Sequence, residues 1–467
     1  MGGMAAFSRV VISASIALAL FACKRNTGGS GDDSEVDAAY TPDACEGLGC
    51  FIVDCASKGL PPTTISGTVY APNGTLPLYG VNVYVPVNDP GPLPAGAQCD
   101  KCANSLLGGA YTQTATDEAG HFTIKDVPAT TNVPLVIQVG KWRRQITLPN
   151  VAACQDVPLA ITETTLPKSR AEGDLPKIAI TTGNADALEC LVRKLGIADS
   201  EFTTSTATTS GAVHMFNGNG ASTFVANWAG GAGPFSPAAD LWSTVDALKA
   251  YDIAFFSCEG SQYPENKPQT SMNAVKAYAD LGGRIFMSHW HNIWIEGADQ
   301  STTDVYAQAP AVWPAIGTYD FAAAQPDSTQ LTIVDEVSNP KGPQFATWLQ
   351  NVGATMVRDQ LPVSAPRYIV QTIDPALAER WVYVEPTLST PLGRTGVQDF
   401  LFTTPNEAPA AARCGKVVFS DMHVASGSTS PAGSAFPTGC SATPLSPQEK
   451  ALAFIFFDIS SCVGPIQ

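Results

Sequence analysis

The apolar residues change their period near residue 170, and that change constrains the fold more than any other feature. From Thr63 to about Leu159 the chain alternates apolar and polar positions in short runs, as in "VNVYVPV", broken by Pro, Gly and Asn. Alternation of period two is the mark of half-buried strands. In "TDEAGHFTI", Asp117 and Gly120 stand where a hairpin turn needs them. Beyond residue 176, strand-length apolar runs alternate with helical patterns. "KIAITTG" is a strand, and "NADALECLVRKLG" places Leu188, Leu191, Val192 and Leu195 on one helical face, with Asn184 as N-cap and Gly196 as C-cap. "STVDALKAYDIAFFSCEG" and "SMNAVKAYADLGGRIFMSHW" repeat a helix, turn and strand grammar. The fold class expected is α/β: a small β-sandwich domain, about 61–165, then a doubly wound, mainly parallel α/β domain, about 176–467, with insertions at about 203–240 and 300–395. A closing helix, "SPQEKALAFIFFDIS", carries Ser446 as cap and Glu449 three residues later.

The N-terminus predicts export. Arg9 precedes an apolar run, Val10 to Ala22, too short for a permanent membrane span and suited to a signal peptide. The ending "LFAC" resembles a bacterial lipobox, which implies cleavage after residue 22 and lipid attachment at Cys23. Residues 23–60 then read as a tether rich in Gly, Ser, Asp and Thr. Localisation is therefore expected at a bacterial membrane, with the membrane itself a partner through Cys23. With 42 acidic against 26 basic residues and a net charge of −16, nucleic acid is excluded as an electrostatic partner.

Two resemblances add to this reading. "ISGTVY", "YGVNVYV", "TDEAGHFTI" and "VPATTNVPLVIQVG" resemble the carboxypeptidase regulatory-like family, transthyretin-like β-sandwiches, which implies a spacer or binding module. There His121 is expected as a turn residue, and Trp142 as packed beneath the stems of Arg143 and Arg144. "KIAITTG", "YDIAFFSCEG", "YADLGGRIFMSHW" and "GKVVFSDMH" resemble the class I glutamine amidotransferase-like superfamily, in particular its ThuA-like branch. The two-domain layout as a whole also resembles a family of exported proteins and implies no activity.

The amidotransferase resemblance puts Ser288 at the nucleophile's elbow and His423 at the base's position. Ala425 stands where the triad acid belongs, so glutaminase chemistry is expected to be lost. ThuA-like proteins carry a histidine near that strand end, which "MSHWH" matches. Strand ends of a parallel sheet share one crevice, so Cys258, Glu259, His289, His291, Asp421 and His423 are expected to reach it. His289, His291 and His423 with Asp421 form a candidate set for a divalent ion such as zinc. The i, i+2 spacing of His289 and His291 would point both rings to one side of a strand. Ser288, His423, Cys258 and Glu259 are the candidate catalytic groups. The competing reading makes these histidines satisfied groups around a packed aromatic seam. His214 is expected to be structural.

Twelve cysteines in an exported chain point to disulfides, and setting Cys23 aside leaves an odd number, so at least one thiol is unpaired. Cys99 and Cys102, in "QCDKC", are expected in structural disulfides rather than a redox or zinc motif, with Cys154 another candidate. Cys414 starts the last strand and Cys462 ends the last helix, so these two are expected to pair. By the same logic Cys258 and Cys440 share the crevice edge; if they pair, Cys258 is no nucleophile and Cys190 is the candidate free thiol. Together these features predict an exported, lipid-anchored envelope protein with a binding or scaffolding role toward a glycan, peptide or envelope protein. The alternative is a metal-dependent hydrolase.

Overall fold

A computed structural model describes residues 45–102, 106–298, 309–310, 312–323, 326–385, 387, 395–425 and 427–463. The signal segment, the lipobox cysteine and most of the tether lie outside these residues. The period-two region forms seven strands: β1 (Thr64–Thr68), β2 (Asn82–Pro86), β3 (Ala110–Ala115), β4 (His121–Lys125), β5 (Thr131–Val139), β6 (Trp142–Asn150) and β7 (Asp156–Pro158). They make a three-stranded sheet, β4-β1-β7, and a four-stranded sheet, β3-β2-β5-β6. Ile65, Phe122 and Ile124 of the first share one core with Val83, Val133, Leu135 and Ile137 of the second, as a sandwich requires. The turn before β4 is as expected: Asp117 accepts from the amides of Ala119 and His121, and Gly120 takes φ +77.

After a one-turn helix, α1 (Ile161–Thr164), the large sheet begins. In chain order come β8 (Ile178–Thr182), α2 (Leu188–Lys194), β9 (Phe202–Thr204), β10 (Val213–Asn217), β11 (Thr223–Phe224), β12 (Ser236–Pro237), α3 (Ala238–Trp242), α4 (Val245–Leu248), β13 (Ile253–Phe256), α5 (Gln269–Asp280), β14 (Arg284–Ser288) and α6 (Ile293–Glu296). Then follow β15 (Gly317–Tyr319), β16 (Thr329–Val334), α7 (Gly342–Asn351), β17 (Gln360–Ser364), β18 (Val370–Ile373), β19 (Glu379–Val384), β20 (Gly396–Thr404), β21 (Gly415–Ser420), β22 (Ala435–Phe436) and α8 (Pro447–Ser460). The sheet order is β12-β10-β8-β13-β14-β21-β20-β19-β16-β17, with β9 beside β10.

From β12 to β21 every pairing is parallel; from β21 to β17 every pairing is antiparallel. Much of the insertion at 300–395 thus builds sheet: β16, β17 and β19 extend it past β20. Alternate residues of the central strands feed two cores. Ile180, Phe255, Phe286 and Val418 meet α2 and α8 on one face, while Phe256, Ile285, Met287 and Phe419 meet α3 and α5 on the other. Burial on both faces explains why these strands read as continuous apolar runs.

Residues 46–467 form one compact unit, and the sandwich packs on α8: Tyr79 stacks on Phe454 at 6.0 Å, and Trp142 meets Phe457 at 5.3 Å. Arg143 is buried and paired with Asp174, and Arg144 with Glu172. α8 is capped as the sequence predicts, Ser446 and Glu449 exchanging hydrogen bonds. α2 starts later than expected, with Ala187 as N-cap, and Asn184 instead accepts from the amide of Ala432.

The disulfides correct three pairing expectations. Cys414 bonds Cys99, Cys462 bonds Cys102, and Cys190 bonds Cys440; Cys55 bonds Cys154. Cys45 and Cys50 are also disulfide-bonded. Cys258, weighed as a partner for Cys440, is a buried free thiol, and Cys190, the candidate free thiol had they paired, is not free. The reason is the neighbour across the junction: the β2–β3 connection lies against the start of β21 and the end of α8, so Cys99 and Cys102 reach partners that strand order alone left to each other.

A buried cysteine and histidine cluster at the strand ends

Three crossover strands deliver the candidate residues. Beyond β13 come Ser257, Cys258 and Glu259; beyond β14 comes His289; beyond β21 come Asp421 and His423. Ligand atoms of Cys258, His289 and His423 all lie within 4.8 Å of one another. The Cys258 Sγ is 3.5 Å from His289 Nδ1, and the two imidazoles stand edge to face at 5.1 Å. Nε2 of His289 and Nε2 of His423 are buried with no partner among the described residues. A buried imidazole nitrogen left open is an uncompensated polar atom, which a water or an ion would satisfy.

The elbow falls on His289 rather than Ser288. His289 holds φ +41, a left-handed conformation costly for a side chain with a Cβ, while Ser288 ends the strand in extended geometry. Ser288 is fully buried and donates to Asp186 at 2.5 Å. Its hydroxyl donates to a carboxylate and meets no imidazole, so the serine–histidine pair that the amidotransferase resemblance implies is not formed. Asp186 was not singled out by the sequence. Its Oδ2 accepts from Ser288, beside His289, and its Oδ1 accepts from the amide of Val424, beside His423, at 2.7 Å. One buried carboxylate therefore holds the Ser288 hydroxyl beside His289 and the Val424 amide beside His423, a positioning role of the kind that tunes metal sites. Burial pushes Asp186 up to about 6 against these hydrogen bonds.

His291 leaves the ligand set. Residues His289–Asn292 form a 3-10 turn rather than more strand, so the two rings diverge. Nε2 of His291 donates to the Ser257 carbonyl at 2.9 Å, and Nδ1 accepts from the Trp294 indole at 2.9 Å. Both nitrogens are used, inside an aromatic seam with Trp242, Phe256 and Trp294. Asp421 is also outside the convergent group: its Oδ2 accepts from the amide of Val370, its Oδ1 is buried without a partner among the described residues, and burial pushes it up to about 7. Glu259 faces a different cavity, of about 310 Å³, with Asn219 and Tyr263, and pairs with the buried Lys267. Burial raises Glu259 to about 7 despite that lysine. His214 lies apart, held between Tyr251 and Ser210.

The charge states follow from burial. Desolvation pushes Cys258 up to about 12, so it is a neutral thiol; it pulls His423 down to about 3 and His289 well below the usual imidazole range, helped by His423. A thiol so held is a poor nucleophile, and neutral imidazoles are the form that binds metals. The fold and the cluster define a doubly wound α/β body joined to a β-sandwich, with a potential sulfur–nitrogen metal centre at its strand ends.

No known protein family and no curated protein matches this chain in sequence. Among solved structures, a putative ThuA-like protein from Bacteroides uniformis is similar, at 13% identity over 60% of this chain and 88% of that one, with a TM-score of 0.28. A type II cohesin–X-dockerin complex mutant from Acetivibrio cellulolyticus is similar at 19% identity over 29% of this chain and 84% of that one, with a TM-score of 0.17. At these TM-scores the architecture rests on the strand order of this chain itself.

Proposed function

We propose that this is an exported envelope protein, lipid-tethered through Cys23, whose α/β body binds a transition-metal ion through Cys258, His289 and His423. The observation that carries the metal reading is the pair of buried, unpartnered imidazole nitrogens beside a buried thiol. Sulfur and imidazole donors suit zinc or copper rather than calcium or magnesium. A cation in the cluster would stabilise the Cys258 thiolate that burial otherwise forbids, so binding releases a proton and strengthens as pH rises. The transthyretin-like kinship of the sandwich belongs to the same proposal, as a spacer between tether and body. The cavity at Glu259 and Tyr263 supports a binding role, for it opens at the strand ends beside β8, where the chain's crossovers change direction. Three protein ligands would leave a position for water, which favours the hydrolase alternative. The burial of Cys258 and His289 favours holding an ion over turning over substrate.

Elemental analysis of the purified protein tests the reading, with Cys258→Ser, a His289→Ala and His423→Ala double variant, and His291→Ala beside it. The expected result is one zinc or copper ion per chain in the wild type and in His291→Ala, and none in the other two. Wild-type protein that stays metal-free after incubation with both ions overturns it.

A further inference from the structure

Where α8, β20 and the starts of β19 and β21 meet the sandwich lies a cavity of about 520 Å³. Its walls come from β2, the end of β5, the start of β19, β20, β21 and α8, and Cys102–Cys462 stands in its lining. The junction is closely fitted nearby: a Cβ on Gly140 would fall 2.0 Å from the Ser460 carbonyl. The void is therefore a local feature of a tight interface, in the size range and the setting where small-molecule sites occur.

Its polar lining is one-sided. Gln138 is 6% exposed; its amide nitrogen donates to Gly140, and its Oε1 has no partner among the described residues. Asp100 and Glu379 also line the cavity, and neither carboxyl group forms a side-chain hydrogen bond among the described residues. Both lysines in the lining are already committed to α8. Lys341 is paired with Asp458, and Lys416 donates to the Asp458 carbonyl at 2.8 Å and to Ser461 Oγ at 2.7 Å. Arg284, near Asp100, is likewise spent on the carbonyls of Gly282, Cys414 and Ser461. What remains is a set of unpaired acceptors beside an aromatic wall of Tyr79, Trp348, Phe454 and Phe457. These acceptors do not converge as metal ligands do: the one such convergent group among the described residues is the Cys258 cluster.

We propose that this cavity binds a small organic cation carrying several N–H donors, an aliphatic diamine being the simplest. Its ammonium groups would satisfy Glu379, Asp100 and Gln138, and its chain would lie on the aromatic wall, where cations are attracted to ring faces. The proposal is independent of the metal centre.

Isothermal titration calorimetry on the purified protein with putrescine tests it, with succinate as the dianion of matching length. The expected result is saturable binding of putrescine, at least about tenfold weaker in Glu379→Gln and in Gln138→Leu, as loss of a charged or buried hydrogen bond implies, and no binding of succinate. Each unliganded variant is first melted. One that melts early is replaced by Asp100→Asn and read the same way. Absent putrescine binding (a water-filled seam only), preference for succinate, or unchanged affinity in the folded variants overturns the proposal.

Discussion

Single side chains separate structural from functional histidines here. His291 spends both nitrogens on Ser257 and Trp294, so His291→Ala orphans a buried carbonyl and a buried indole. The expected loss is about 2–4 kcal/mol of stability, read by chemical denaturation. His289 and His423 each keep an open nitrogen, and that difference, invisible in "SHWH", is what separates the candidate ligands from His291. Asp421 makes a second prediction. Its carboxyl is raised to about 7 by burial, from an ordinary 3.8. An acid with a raised pKa contributes its stability while protonated and loses it as pH climbs through the folded value. Asp421→Asn keeps an acceptor for Val370 and cannot ionise. Its melting temperature should therefore gain on the wild type between about pH 4 and about pH 8. A constant difference across that range would contradict a raised Asp421.

At the scale of elements, two connections do what hydrophobic patterning cannot. Asp186, in the β8–α2 connection, holds Ser288 at the end of β14 and Val424 after β21. Asp186→Ala should weaken metal binding about 10–100-fold, in the manner of outer-sphere carboxylates, without removing a ligand; competition with a chelator measures it. The β2–β3 connection carries Cys99 and Cys102 to partners 315 and 360 residues away. Loop closures of that size constrain the unfolded chain strongly. A Cys99→Ser, Cys102→Ser double variant should unfold at lower denaturant and expose the linker near Glu172 to proteases before the core; unchanged stability would make the two bonds ornamental. The strand grammar of β8, β13, β14 and β21 was legible because burial on both faces makes long apolar runs. In the antiparallel extension, "RWVYVEP" was legible as the strand that is β19, but β16 and β17 were not, since they alternate and sit among Pro and Gly.

At the scale of the whole molecule, the proposed exported leader joins a body that disulfides close. Cys23→Ser should move the protein from the membrane to the soluble fraction of exporting cells, read by fractionation and blotting; retention in the membrane would refute the tether. The sandwich and the α/β body share an apolar core and the seam at α8. Their relation is therefore a packed one, and the cavity at the seam exists only because both parts are present.

Sequence alone determined the classes of structure: two hydrophobic periods, the capped closing helix, the Asp117–Gly120 turn, and the strand ends that gather the candidate residues. These are local consequences of side-chain spacing and backbone preference. Tertiary structure decided the disulfide partners, the exclusion of His291 and Asp421 from the ligand set, the free state of Cys258 and the role of Asp186. Each of those depends on which buried polar atom finds a neighbour across elements far apart in the chain. That choice is made by packing, and no periodicity records it.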